Sequence, residues 1–150
     1  KGANGGIGNA ALLFSWTGQG PGIEAARRGH DVVMCPAQNT YFDLAHSADP
    51  ADWGASWAGF VSLEQTVNWQ PVPKGSEDVA HRIAGVEGCF WGEFTTEDWQ
   101  MQAMLAPRIL GVANKAWDSH DSVDGPKLRA LAAAYAPVFD RIGWLRNKGA

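Results

Sequence analysis

The sequence lacks the features that identify several large classes of protein. No stretch approaches the roughly 20 consecutive apolar residues of a membrane-spanning helix, so we expect no transmembrane segment. The 12 lysines and arginines are outnumbered by 16 acidic residues and form no cluster, which argues against nucleic acid or an anionic membrane as the partner. The four histidines lie singly, without the spacing of metal ligands, so we expect neither a metal nor another cofactor.

Cysteine is also scarce. The two cysteines, Cys35 and Cys89, each lie in an apolar run without metal-ligand spacing. Two interpretations stay open: the residues are buried free thiols, or they form a disulfide if the two runs are neighbours in space.

Tryptophan, by contrast, is abundant, with eight residues in a chain of 150. Such a surplus indicates either a strongly aromatic core or an exposed stacking surface, because tryptophan is both large to bury and costly to expose. Flat aromatic faces suit sugar rings, quaternary ammonium groups and nucleic-acid bases. We expect four of the tryptophans to be packing residues: Trp69, Trp99, Trp117 and Trp144.

The hydrophobic pattern predicts alternating strands and helices. Apolar runs without a helical period predict buried strands, and they are found at 10–16, 31–36 and 83–94. Helical patterns follow them, at 23–29, at 96–118 with a break at Pro107, and from Asp124 to the end with an interruption at Pro137. The alternation predicts an α/β fold with parallel strands covered by helices.

Aromatic and acidic side chains occur where these strands end. Trp16 ends the first strand, Tyr41 and Asp43 follow the second, and Trp91 and Glu93 end the third. A spacing of two residues places both members of a pair on one face of an extended segment. Active sites of β/α barrels lie at this end of the strands, so the pattern predicts that the residues face a common pocket.

The acidic residue of the segment "GCFWGEF" (88–94) also has a structural interpretation. Glu93 could cap a nearby helix or pair with Arg108, with no direct role in function. The two interpretations differ in whether Glu93 faces a pocket.

Four segments together resemble the C-terminal part of the β-N-acetylhexosaminidases of glycoside hydrolase family twenty. The resemblance rests on the order and spacing of a strand ending in Trp, a Tyr-x-Asp motif, a loop tryptophan, a Trp-x-Glu motif and a "PR…A…W" tail. The segments are "FSWTGQGPGIEAARRGHDVVMCPAQNTYFD", "WAGFVSLEQTVNWQPVP", "IAGVEGCFWGEF" and "APRILGVANKAW".

The resemblance implies a TIM-type (β/α)8 barrel and a retaining hydrolase that removes terminal N-acetylglucosamine or N-acetylgalactosamine from chitooligosaccharides or glycans. In this family the substrate's own acetamido oxygen attacks the anomeric carbon. By resemblance, Tyr41 orients that oxygen, and Trp16 and Trp91 form the walls around the acetamido group. Asp43 and Glu93 would accept hydrogen bonds from the outer hydroxyls of the sugar, O4 and O6.

The loop tryptophan Trp57 would be a platform for the next sugar of the oligosaccharide. The family's catalytic Asp-Glu pair, in contrast, has no counterpart, because the sequence contains no Asp-Glu dipeptide.

We therefore expect residues 1–150 to form a partial catalytic barrel, with about its last three βα units and without the N-terminal strands that carry this pair. The chain begins with Lys1 rather than Met, which agrees with a preceding segment. Such a chain would associate either with the missing half of the barrel or with itself.

Two other functions stay open. One is a sugar-binding module without catalysis, and the other is a two-carboxylate glycosidase that uses Asp43 and Glu93 as its acid/base pair.

Overall fold

The computed structural model describes residues 6–118 and 120–149 of the chain. Within these residues three parallel strands form one sheet in the order β1-β2-β3. The strands are β1 (Leu12–Ser15), β2 (Asp31–Met34) and β3 (Ile83–Val86). The helices are α1 (Gln19–Arg27), α2 (Ala37–Thr40), α3 (Asp98–Leu105), α4 (Ile109–Trp117) and α5 (Gly125–Arg141).

The central strand β2 and the helix α1 form the core of this sheet. Val32 and Met34 of β2 are fully buried, as a strand with neighbours on both sides and a helix on one face should be. Helix α1 approaches closely at Gly22, where a Cβ would lie 2.8 Å from side-chain atoms of both Ser15 and Met34. Gly29, in a left-handed conformation with φ 93°, follows the end of the helix as predicted.

Strand β1 differs from its prediction as a buried strand. Its only neighbour among the described residues is β2, so it is an edge strand there. Leu12 and Phe14, on one face of the strand, are exposed at 48% and 49%. The apolar character of the run was read correctly as a strand, but its burial was not.

The third predicted strand, 83–94, is much shorter than expected. It ends at Val86, and the chain then bends into a single bridge between Cys89 and Tyr41 and a 3-10 helix over Gly92–Phe94. At Gly88 a side chain would overlap with the ring of Phe42. The glycine therefore allows another part of the chain to approach the backbone closely there.

The helices follow their predictions more closely. The predicted break at Pro107 separates α3 from α4, and the carboxylate of Asp124 caps α5 by accepting from the Lys127 amide at 3.0 Å. Helix α5 continues through Pro137 instead of being interrupted there. No helix in the described part of the chain is long and apolar enough to cross a bilayer.

The tryptophans predicted to be packing residues divide into two groups. Trp69 is buried in the core, and Trp144 stacks on Phe139 with ring centroids 6.3 Å apart. The prediction was wrong for Trp99 and Trp117, which are exposed at 46% and 89%. A position on a helix does not place a side chain on its buried face.

Gly111 of α4 gives a test of this packing. An alanine Cβ there would overlap with the side chain of Thr66 and lie 3.1 Å from Leu128 Cδ2. We expect Gly111→Ala to lower the free energy of unfolding by about 1–3 kcal/mol, measured by urea denaturation, because Thr66 and Leu128 are both buried. Gly20→Ala is the matched control, since no atom lies within 4 Å of its Cβ, and equal stability of the two variants would contradict the prediction.

Candidate functional site

A cavity of about 710 Å³ lies at the carboxyl edge of the sheet. It is lined by all six residues that the sequence analysis selected: Trp16, Tyr41, Asp43, Trp57, Trp91 and Glu93. The other lining residues are Phe14, Cys35, Glu87, Cys89 and Phe94. The structure thus brings the sequence-selected side chains to one hollow.

The backbone reaches this hollow by a different path from the one predicted. Helix α2 intervenes after β2, so Tyr41 and Asp43 do not continue an extended strand. Tyr41 is held beside Cys89, because the amide of Phe42 donates to the Cys89 carbonyl at 2.8 Å and the Cys89 amide donates to Thr40 at 2.9 Å. Backbone hydrogen bonds to the Cys89 segment therefore place Tyr41 at the site. An extended strand was expected to place it there.

A buried arginine fixes the segment that carries the carboxylate of Asp43. The guanidinium of Arg108 donates to the carbonyl oxygens of Phe42 at 2.7 Å and Leu44 at 2.8 Å, on either side of Asp43. It also donates to the Val61 carbonyl at 2.7 Å, four residues after Trp57. One side chain thereby ties together the two loops that supply Asp43 and Trp57.

Burial lowers the pKa of Arg108 to about 9, which is still above neutrality, so the guanidinium keeps its charge and its donors. Its Nε also donates to the Met104 carbonyl at 2.9 Å, which links the two loops to the end of α3.

The structural interpretation of Glu93 is not supported. Among the described residues, the hydrogen bonds of Arg108 go to backbone carbonyls and not to Glu93. Glu93 lies in the 3-10 helix Gly92–Phe94 and lines the cavity.

Two tryptophan rings contact the ring of Tyr41 within the cavity. The ring of Tyr41 meets Trp57 edge-on, with centroids 6.1 Å apart at 73°, and Trp91 at 6.3 Å and 49°. Burial, with smaller contributions from Cys89 and Cys35, raises the pKa of Tyr41 to about 12. Tyr41 is therefore a hydrogen-bond donor throughout the neutral range.

Asp43 is the buried acceptor of the site, at 4% exposure. Its Oδ1 has no hydrogen-bond partner among the described residues. Burial raises the pKa of this carboxyl group, and the nearby Glu93 adds to the effect, while Trp57 and Arg108 act in the opposite direction. A buried carboxylate oxygen without a partner is costly, so the site is suited to a ligand that brings a donor to it.

The arrangement combines flat apolar walls with a few directed polar groups, which is typical of small-molecule sites. A sugar ring matches it, because the C–H faces of the ring suit the aromatic walls and its hydroxyls suit the carboxylates. No group of three or more potential metal ligands occurs among residues 6–118 and 120–149.

Sequence reasoning missed five lining residues, and a signal existed for some of them. Cys35 and Cys89 follow the ends of β2 and β3, like the residues that were selected. Phe14 lies two residues before Trp16 and points to the same face of β1.

Comparison with known proteins shows which family the chain resembles. The model of the catalytic domain of glycosyl hydrolase family 20 matches residues 3–120. The beta-N-acetylhexosaminidase of Cellulomonas fimi is 31% identical over 124 residues, which cover 83% of this chain and 25% of that protein. A beta-hexosaminidase of Porphyromonas gingivalis is 34% identical over 116 residues, covering 75% of this chain and 15% of that protein.

Solved structures of similar enzymes agree with the family match. The N-acetyl-beta-hexosaminidase of Streptomyces plicatus, in complex with Thio-NAglucal, superposes with a TM-score of 0.86 at 29% identity, over 97% of this chain and 30% of that one. The Vibrio harveyi exo beta-N-acetylglucosaminidase, in complex with N-acetylglucosamine, gives 0.86 at 28% identity, over 95% and 22%. The chain thus spans a third or less of the length of these relatives.

The anchoring role of Arg108 can be tested by removing its donors. We expect Arg108→Met to lower the free energy of unfolding by about 3–5 kcal/mol in urea denaturation, because the carbonyls of Phe42, Leu44 and Val61 would stay buried without partners. Arg129→Met is the control: Arg129 is exposed and pairs with Glu64, so a change within about 0.5 kcal/mol is expected. Similar losses in both variants would refute the anchoring role.

The protonation state of Tyr41 can be measured directly. Tyr41 and Tyr135 are the two tyrosines of the chain, so Tyr135→Phe leaves Tyr41 as the sole phenol. In that variant we expect the ultraviolet absorption of tyrosinate to appear with a midpoint at a pH of about 12, against the ordinary value of 10.0. Circular dichroism at each pH checks that the chain is still folded, and a midpoint near 10.0 in the folded chain would contradict the burial of Tyr41.

Proposed function

The chain belongs to glycosyl hydrolase family 20, and from this premise we propose that it forms the sugar-binding part of the active site of a retaining, substrate-assisted β-N-acetylhexosaminidase. The substrate is an oligosaccharide or glycan with a terminal N-acetylglucosamine or N-acetylgalactosamine. The observation that carries the proposal is the enclosure of a protonated Tyr41 by Trp57 and Trp91 within one cavity.

Tyr41 would orient the nucleophile. In the proposed mechanism the acetamido carbonyl oxygen of the substrate attacks the anomeric carbon and forms an oxazolinium intermediate. The Tyr41 hydroxyl donates a hydrogen bond to that oxygen, and the walls formed by Trp16 and Trp91 restrict the acetamido group. Holding the oxygen in line removes much of the entropy cost of the attack.

The two carboxylates would recognise the sugar. The unpartnered Oδ1 of Asp43 and the carboxylate of Glu93 accept hydrogen bonds from the O4 and O6 hydroxyls. A sugar without a hydroxyl in the right place leaves a buried acceptor unpaired, which gives selectivity. Trp57, exposed at 60%, would stack against the next sugar.

The general acid of the reaction would come from elsewhere. The sequence contains no Asp-Glu dipeptide, so we propose that the acid that protonates the leaving group lies outside these 150 residues. The described strands would be the last three of the barrel, and the backbone edge of β1 that does not face β2 would pair with the remaining strands or with a second copy of the chain.

One observation favours a different mechanism. The raised pKa of Asp43 is a property that a general acid needs, and it would suit a two-carboxylate glycosidase with Glu93 as the second group. We favour the acceptor role, because the backbone on both sides of Asp43 is tied to Arg108, whose charge opposes protonation of the carboxylate.

Binding to the chain itself tests the proposal. We expect N-acetylglucosamine to change the tryptophan fluorescence of the 150-residue chain, and glucose, which lacks the acetamido group, to change it far less. Tyr41→Phe should weaken the binding of N-acetylglucosamine about tenfold, equivalent to ~1.4 kcal/mol, through loss of the hydrogen bond to the acetamido oxygen.

Tyr135→Phe is the matched control, because Tyr135 lies on α5 and is not among the residues that line the cavity. Its affinity should equal that of the wild type. Equal binding of glucose and N-acetylglucosamine, or an unchanged affinity in Tyr41→Phe, would rule out the proposed acetamido pocket.

A further inference from the structure

Two thiols lie at the floor of the cavity, and the proposed mechanism does not use them. Cys35 directly follows β2 and Cys89 lies three residues after β3, and these two parallel strands are neighbours in the sheet. Both are free, both are buried, and both line the same cavity as Tyr41 and Trp91. The alternatives left open by the sequence are thus resolved in favour of free thiols, but with the two cysteines brought together.

The two thiols are chemically unequal. The pKa of the Cys35 thiol is lowered, chiefly because Cys89 donates a hydrogen bond to it. The pKa of Cys89 is raised, because its proton is shared with Cys35 and its sulfur is buried. The Cys89 thiol donates a hydrogen bond to a carboxylate oxygen of Glu87 at 3.5 Å, and this carboxylate also raises the pKa of Cys89. Cys35 is therefore the better nucleophile of the pair, and Cys89 keeps its proton.

A change at Cys89 would be transmitted to the sugar site through the backbone. The peptide groups of Cys89 bond to those of Thr40 and Phe42, on either side of Tyr41, at 2.9 and 2.8 Å. Trp91 follows Cys89 by two residues. A displacement of the Cys89 backbone therefore moves the attachment points of both Tyr41 and Trp91.

We propose that Cys35 and Cys89 form an oxidation site that closes to a disulfide under peroxide and thereby weakens sugar binding in the cavity above it. The geometry supports this, because the two cysteines belong to one apolar cluster and both line a cavity that a small oxidant can enter. A disulfide requires the two sulfur atoms to approach to about 2.05 Å, which is shorter than any contact between free thiols.

The chemistry balances with hydrogen peroxide as the oxidant. The Cys35 thiolate attacks one peroxide oxygen, the O–O bond breaks, and the products are a sulfenic acid and hydroxide, which takes up a proton to give water. The Cys89 sulfur then attacks the Cys35 sulfur, the S–O bond breaks, and the hydroxyl leaves with the Cys89 proton as a second water. The two thiols lose two electrons and two protons, and a dithiol reductant reverses the change.

The test uses the 150-residue chain with hydrogen peroxide as the probe. We expect the free-thiol count to fall from two to zero, and peptide mass spectrometry to find Cys35 linked to Cys89. Binding of N-acetylglucosamine should weaken about tenfold, or ~1.4 kcal/mol, and should recover on reduction with dithiothreitol. The effect on binding rests on the proposed function, whereas the thiol count and the linkage do not.

Cys35→Ser and Cys89→Ser are the controls, since each keeps the size of the side chain and removes one thiol. Because both residues line the cavity, each variant is compared with itself before and after peroxide, and its binding of N-acetylglucosamine should show no loss that dithiothreitol reverses. Should one variant fail to fold, the other supplies the control.

Three results would overturn the inference: two thiols that survive peroxide, a product oxidised at one cysteine without the linkage, or a disulfide that leaves sugar binding unchanged. A reduced chain that forms the disulfide but binds no N-acetylglucosamine would instead contradict the proposed function, and the link from oxidation to binding with it.

Discussion

The candidate site depends on one buried cation, Arg108, whose hydrogen bonds among the described residues all go to backbone carbonyls. Arg108 is fully buried, and its guanidinium contacts the backbone carbonyls of Phe42, Leu44 and Val61. Burial of a charge is costly, and directed hydrogen bonds to neutral acceptors offset that cost without consuming an acidic side chain. Asp43 lies between two of the anchored peptides, and its Oδ1 has no hydrogen-bond partner among the described residues. The same interaction that stabilises the loops thus fixes the backbone on both sides of this acceptor.

The protonation states in the cavity follow from this environment. Burial raises the pKa of Tyr41 and of Asp43 alike, but the consequences differ because it keeps the phenol a neutral donor and makes the charge of the carboxylate costly. Tyr41 is a hydrogen-bond donor throughout the neutral range, which suits an acceptor oxygen in the cavity. The charge of Asp43 is costly there, so its carboxylate suits a ligand that brings a donor to it. The thiols of Cys35 and Cys89 line the same cavity.

Several features of the fold could be predicted from local pattern alone. The apolar run of β2, the helix closure at Gly29 and the break at Pro107 are each specified by a few neighbouring residues. Two features could not. One is the end of β3 at Val86, beyond which the ring of Phe42, from a distant part of the sequence, lies against Gly88. The other is the exposure of the β1 side chains, because the apolar residues carry no information on whether their face of the sheet is covered.

The sequence by itself determined which residue types stand at the strand ends, and it determined the family through their order and spacing. Tertiary structure alone decided how they meet. Tyr41 reaches the cavity through helix α2 and a bridge to Cys89, and Glu93 reaches it from a 3-10 helix, although an extended strand was expected in both places. It also decided that Arg108 binds carbonyls rather than Glu93. The physical reason is that composition and hydrophobic periodicity constrain residues that are close along the chain. Hydrogen-bond partners far apart in sequence are determined only by the folded backbone, which brings them together.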